Sequence, residues 1–229
     1  MRQLLTISLF TFLFSYSNLC AQNCSSSAVM TEGTVLEYSI YDKKNKLEIT
    51  SLQKIVSVEN EGTGLKATRE VGIYDVKGGN ILNSNASFIC KDGVYSQDIT
   101  GIFNDNLPGA DELVFEGDKV AYPENMKVGD QLADATVSSK IEVEGATEIS
   151  MSKASVFNRK VESKETLTTA AGTFECYVIA FDWTSKVAFV KVTGSSKEWY
   201  SPDVGVVKTE KFNKRGKYTG KTVLTKLEK

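Results

Sequence analysis

Side chains able to do covalent or acid–base chemistry are sparse in this sequence. None of its 229 residues is histidine. Ser-His-Asp and Cys-His arrangements, His-containing zinc sites and imidazole proton relays are therefore excluded. Carboxylate pairs and a Ser-Lys dyad remain, since neither needs histidine. Asp203 with Glu210, and Asp98 with Asp105, are the carboxylates that could be paired. No spacing singles either pair out, and solvated surface charge accounts for both. Cysteine is the other candidate: Cys24, Cys90 and Cys176 follow a leader that carries Cys20. Three thiols without histidine fall short of a metal site. One disulfide plus a free thiol, a bridge between chains, or burial of Cys90 and Cys176 as small apolar groups are all open. No catalytic residue, metal or cofactor is expected, and the chain reads as non-enzymatic.

The compartment is set at the N-terminus. Arg2 precedes a run from Leu4 to Phe14 that is apolar apart from Thr6, Ser8 and Thr11, and Leu19-Cys20-Ala21 supplies small residues for cleavage after Ala21. Residues 1–21 read as a secretory signal and 22–229 as the exported domain. The apolar run is shorter than the roughly 20 residues that span a bilayer as a helix. Neither Cys20 nor Cys24 follows an aliphatic-small-small triplet, so lipidation is not expected. Loss of the leader removes one charge, Arg2, and moves the net charge from −2 to −3. Acidic and basic residues are interspersed, and the longest basic cluster, Lys214-Arg215-Gly216-Lys217, reads as a turn. Capture of a phosphate backbone needs several convergent contacts, so no nucleic-acid partner is expected.

The elements available to position anything are strands. Leu36, Tyr38 and Ile40 alternate along 34–41; Leu65, Ala67, Val71 and Ile73 do so along 64–76, with Arg69 as a charged lapse. Tyr177, Ile179, Phe181 and Trp183 line one face of a strand at 173–183, and Phe174, Cys176, Val178 and Ala180 the other, which suits a central strand or one covering a packed layer. Strands at 187–200, 204–212 and 217–227 follow. Residues 141–151 read as a hairpin about Gly145-Ala146. Turns fall at Asp42 to Asn45, Glu61 to Gly64, Lys77 to Gly79, Lys91 to Gly93 and Asn213 to Gly216. Regular strands and turns without a Pro-rich linker predict one mainly β domain, an antiparallel meander. The exception is 99–135, where Ile99 to Leu107 suits a short helical crossover near 99–110 ended by Pro108-Gly109. This stretch reads as a crossover between halves of a sheet.

Ala171-Gly172-Thr173-Phe174-Glu175-Cys176-Tyr177, followed by Trp199-Tyr200-Ser201-Pro202-Asp203-Val204-Gly205-Val206-Val207, resembles the TapB-like family of exported bacterial proteins of unknown function. Glu32-Gly33-Thr34, the strand ending in Cys90, and Tyr122-Pro123 before Val128-Gly129-Asp130 extend the resemblance over most of the exported chain. It implies a curved antiparallel sheet or open half barrel akin to YmcC-like and lipoprotein-carrier folds. It also implies a periplasmic or outer-membrane-associated place in a Gram-negative envelope. It carries over no catalytic residue.

A curved sheet can fill its concave side with side chains or with a guest. The leading expectation is a binding or carrier module for an apolar or amphipathic ligand, a lipid or glycolipid, with Tyr177, Phe181, Trp183 and Trp199 as candidate contacts. Trp199 and its neighbour Tyr200 must point to opposite faces, so only one of them can face the concave side. The alternative expectation is an assembly partner of an envelope complex, pairing through an exposed edge. Strand 217–227, with Lys217, Lys221 and Lys226, is its candidate edge.

Overall fold

The computed structural model describes residues 27–98, 113–141, 149–187 and 189–229. They form one antiparallel sheet. Its first half comprises β1 (Val35–Asp42), β2 (Leu47–Glu61), β3 (Gly64–Asp75), β4 (Asn80–Lys91), β5 (Val94–Asp98) and β7 (Val120–Pro123). Its second half comprises β6 (Leu113–Gly117), β8 (Ala135–Ile141), β9 (Ile149–Thr169), β10 (Gly172–Val187), β11 (Val190–Ser201), β12 (Gly205–Asn213) and β13 (Tyr218–Glu228). The order across the sheet is β6-β8-β9-β10-β11-β12-β13-β1-β2-β3-β4-β5-β7. The mainly β, single-domain meander read from alternation is therefore correct, and so is its curvature. The helical crossover expected near 99–110 and the turn at Gly145-Ala146 lie outside the described residues. The hairpin that this turn would close is present, with β8 paired to β9.

Two sequence readings are corrected. Strand 217–227 is not an edge: β13 pairs with both β12 and β1 at the middle of the sheet. Its lysines do not guard an edge. Lys221 lies over the ring of Tyr41, and Lys226 forms an ion pair with Glu228. Among the described residues the edges are β6 and β7. The strand expected from 187 begins at Val190, because Thr184, Ser185 and Lys186 continue the β10–β11 ladder.

Register shifts bend the sheet. Val56, Glu162, Val207 and Thr225 stand unmatched on β2, β9, β12 and β13, and each unmatched residue increases local twist and curvature. Asn158 takes φ 56° at a further irregularity, turning Arg159 inward until it is 2% exposed. The rolled sheet encloses one core whose centre includes Leu36, Ile55, Val161, Ile179, Val207 and Leu224. One end is plugged by a 3₁₀ turn, Ala28–Met30, tied down where the Ala28 amide donates to the Asp203 carbonyl at 2.7 Å. The connection from β7 to β8 runs along β9, with Leu132 N donating to Arg159 O and Val161 N to Asp130 O. Cys90 is disulfide-bonded and Cys176 is a free, buried thiol, which decides between the cysteine readings for these two residues. Burial pushes the Cys176 thiol up to about 12, so it stays protonated and inert.

Candidate functional site

The concave side of β1–β5 and β11–β13 holds a cavity of about 270 Å³. Its positions follow from strand alternation: Tyr38 and Ile40 on β1, Ser51 and Gln53 on β2, and Arg69, Val71 and Ile73 on β3 share one face. Across the ladder, Ile73 pairs with Leu82 and Val71 with Ser84, which continues the same face onto β4. Ile40, Ile73 and Leu82 lie close to the hairpin turns and make an apolar rim. Phe88, Arg69, Gln53 and Glu198 lie further in, toward the plugged end.

Arg69, read from sequence as a lapse in an apolar face, is 3% exposed. Its Nη1 donates to Gln53 Oε1 at 2.7 Å, and its guanidinium lies 4.2 Å from the centre of the Phe88 ring. Opposite it, Glu198 is 8% exposed. Tyr122 Oη donates to Glu198 Oε1 at 2.9 Å, and the Tyr122 ring stacks on Tyr200 at 4.2 Å between centroids, 3° from parallel. The Arg159 guanidinium lies 5.1 Å from the centre of the Tyr122 ring. This cluster fixes edge strand β7 against β11, so the sheet folds over on itself.

Desolvation dominates the electrostatics. Burial holds the Glu198 carboxyl above the usual carboxylate range, although the Tyr122 hydrogen bond and the Arg159 charge both favour its ionised form. Burial likewise raises the Tyr38 phenol to about 12, against the pull of Arg69, and lifts Tyr122 well above its ordinary value. Tyr38 Oη donates to the Val206 carbonyl. The Ser84 hydroxyl is different: it is buried and has no hydrogen-bond partner among the described residues. A buried hydroxyl left unmatched is costly, and Ser84 stands on the wall of the cavity.

None of the four aromatics proposed from sequence lines this cavity. Tyr177 is half-buried, cross-strand from Tyr200, with Lys164 Nζ 5.4 Å from its ring centre. Phe181 borders a separate depression of about 290 Å³ with Asn158, Lys160 and Ser196. Trp183 borders another of about 260 Å³, its indole lying against Gly194. Trp199 is on the face opposite Tyr200; its Nε1 donates to Glu165 Oε2 at 3.2 Å and Lys208 caps its ring at 4.2 Å. Of the pair Trp199 and Tyr200, it is Tyr200 that faces inward. The residues that sequence reasoning missed are Arg69, Glu198, Tyr122 and Ser84. Parity could have found Arg69, which alternates in phase with Ala67 and Val71. Tyr122 could not be found that way, because its place depends on β7 crossing to β11. Among the described residues no group of three or more His, Cys, Asp or Glu could hold a metal ion.

Comparison with solved structures gives the same fold. A protein from Bacteroides fragilis, described as exported and with a YmcC-like fold, superposes with a TM-score of 0.71 at 22% identity, over 87% of this chain and 97% of that one. A protein from Parabacteroides distasonis described as a lipoprotein gives the same TM-score and identity, over 87% and 96%. No curated protein matches. The DUF3108-like family model matches residues 31–224, which takes in β1 to β12 and the cavity, and the chain thus belongs to the DUF3108-like family.

Proposed function

We propose that the protein is an exported, non-enzymatic envelope module that carries an apolar or amphipathic ligand, a lipid or glycolipid, in the concave cavity. The carrying observation is a pocket of about 270 Å³ with an apolar rim and a buried polar end. Small-molecule sites occupy roughly 300–1,000 Å³ and pair apolar walls with a few placed polar groups. At about 270 Å³ this cavity falls just below that range, a size for one chain of such a ligand rather than a whole lipid. Ile40, Ile73 and Leu82 would contact the chain, and the Ser84 hydroxyl and Gln53 a polar atom. The secretory reading of residues 1–21, the TapB-like resemblance and the fold neighbours described as exported or as a lipoprotein all support an envelope location.

Native mass spectrometry of protein purified from its own envelope, beside a denatured and extracted sample, tests the reading. A reproducible added mass identified as a lipid or glycolipid is expected, and Leu82→Trp, which fills the rim, should reduce its occupancy. A clean unliganded mass under gentle conditions would overturn the carrier reading. The second reading, strand pairing with an envelope partner, is supported by β6, which has a neighbour on one side only among the described residues. Cross-linking that recovers a foreign subunit at Glu116 would favour it.

A further inference from the structure

The rim of the cavity belongs to one end of the sheet, and that end has an unusual chemistry. Three of its hairpins share one turn. Asp42, Asp75 and Asn213 each accept, on a side-chain oxygen, the backbone amides two and four residues on. The residue three positions on takes positive φ: Asn45, Gly78 and Gly216. Such a turn dictates its first and fourth positions and leaves the others free. The sequence places base at most of the free positions. Lys43, Lys44 and Lys46 occupy the first turn, Lys77 the second, and Lys214, Arg215 and Lys217 the third, all exposed. The carboxylates present, Asp42 and Asp75, are occupied with backbone amides.

The fourth hairpin at this end, β10–β11, carries the pattern further. Lys186 is the direct cross-strand partner of both Lys191 and Lys153, giving three exposed lysines in a row. None forms an ion pair among the described residues. Like charges directly opposite on neighbouring strands repel, so the row costs stability in the isolated protein. The tip of the same hairpin, and its other face on β11, expose apolar residues. Phe189 is fully exposed, Val190 is 66% and Val192 50% exposed. Val76 and Ile81, on the β3–β4 hairpin, are also exposed. Five of the seven exposed large apolar side chains among the described residues therefore lie at this one end. The net charge of the whole chain is −2, so the basic end is a local departure from its composition. At the opposite end the turns are net acidic, with Glu59, Glu61, Asp92 and Asp203 against Lys91.

We infer that this basic, apolar-tipped end docks on an anionic lipid bilayer, with Phe189 and Val190 in the acyl boundary and the lysines against the phosphates. A bilayer face is the partner that stacks an anionic layer over an apolar one along a single direction, as the hairpin stacks its lysines behind Phe189. An acidic protein surface would satisfy the lysines and leave the fully exposed phenyl ring without a place. Docking in this orientation sets the cavity rim toward the lipid. The surface stands independently of what the cavity carries, since it is read from charge and exposure at the turns.

Sedimentation of the exported domain with vesicles tests it. Vesicles of phosphatidylcholine mixed with phosphatidylglycerol should take up the protein, pure phosphatidylcholine should not, and salt should release it. Reversing two lysines (Lys186→Glu with Lys191→Glu) should weaken uptake on the order of tenfold or more, since each basic residue near such a surface contributes ~1 kcal/mol. Phe189→Ser should weaken it several-fold while leaving the charge unchanged. Both sites lie outside the core, and an unaltered unfolding transition verifies the fold. Equal uptake by neutral vesicles, no uptake by anionic ones, or uptake indifferent to both variants would overturn the inference. Binding to an acidic protein with no vesicle uptake would overturn it in favour of a protein partner.

Discussion

Glu198 is the residue on which the interior turns. A carboxyl whose folded value is raised holds its proton more tightly folded than unfolded. Its stabilising contribution is complete below the ordinary carboxylate value and is lost as pH rises through the raised one. Glu198→Gln keeps an acceptor for Tyr122 and removes the ionisable group. The variant should therefore be more stable than the parent at neutral pH, with the difference vanishing in acid, as denaturant titrations across pH would show. Tyr122→Phe should do the opposite, costing about 1–3 kcal/mol at neutral pH by leaving a buried carboxyl oxygen without its donor. Arg69 shows how far single residues were legible. Its parity with Ala67 and Val71 was visible in the sequence, but a charged residue in phase with an apolar face reads as an interruption until Phe88 and Gln53 are seen to receive it. Tyr177, Phe181, Trp183 and Trp199 show the converse, since aromatic size does not reveal which depression a ring borders.

At the scale of elements, turn chemistry and alternation carried most of the fold. The turns at Asp42 and Asn213 were readable because Asx and left-handed-tolerant residues leave a local signature. The pairing of β13 was not, because lysines on a strand face mark solvent exposure and say nothing about how many neighbours the strand has. Close approach was equally hidden. A Cβ built on Gly194 would fall 2.3 Å from the Phe212 carbonyl oxygen and 2.6 Å from the Trp183 ring. β10, β11 and β12 are thus held together at a point where only hydrogen fits. Gly194→Ala should destabilise by about 1–3 kcal/mol through overpacking. It should also displace the Trp183 indole, which near-ultraviolet circular dichroism and tryptophan emission would register. Unchanged spectra and stability would show that the ladder absorbs the methyl group.

Over the whole molecule, two meanders, β1 to β5 and β8 to β13, meet at β1 and β13, with β6 and β7 exchanged to the opposite edges and β7 tied back onto β11. None of these relations has a local signature, which is why the order of strands exceeded what periodicity could reveal. Deleting residues 218–229 should accordingly abolish cooperative unfolding, because it severs the middle of the sheet rather than trimming its border; a retained sharp transition would contradict this. The same seam has a bearing on biogenesis. Val35, near the start of the folded domain, pairs with Glu228. A chain threaded across a membrane from its N-terminus delivers β1 early and the strand that must lie beside it last. On the export route proposed above, one side of β1 faces an absent neighbour until β13 arrives, and the half-sheet presents an unpaired ladder in the meantime. The strand order thus ties the exposed lifetime of that ladder to the arrival of the last strand.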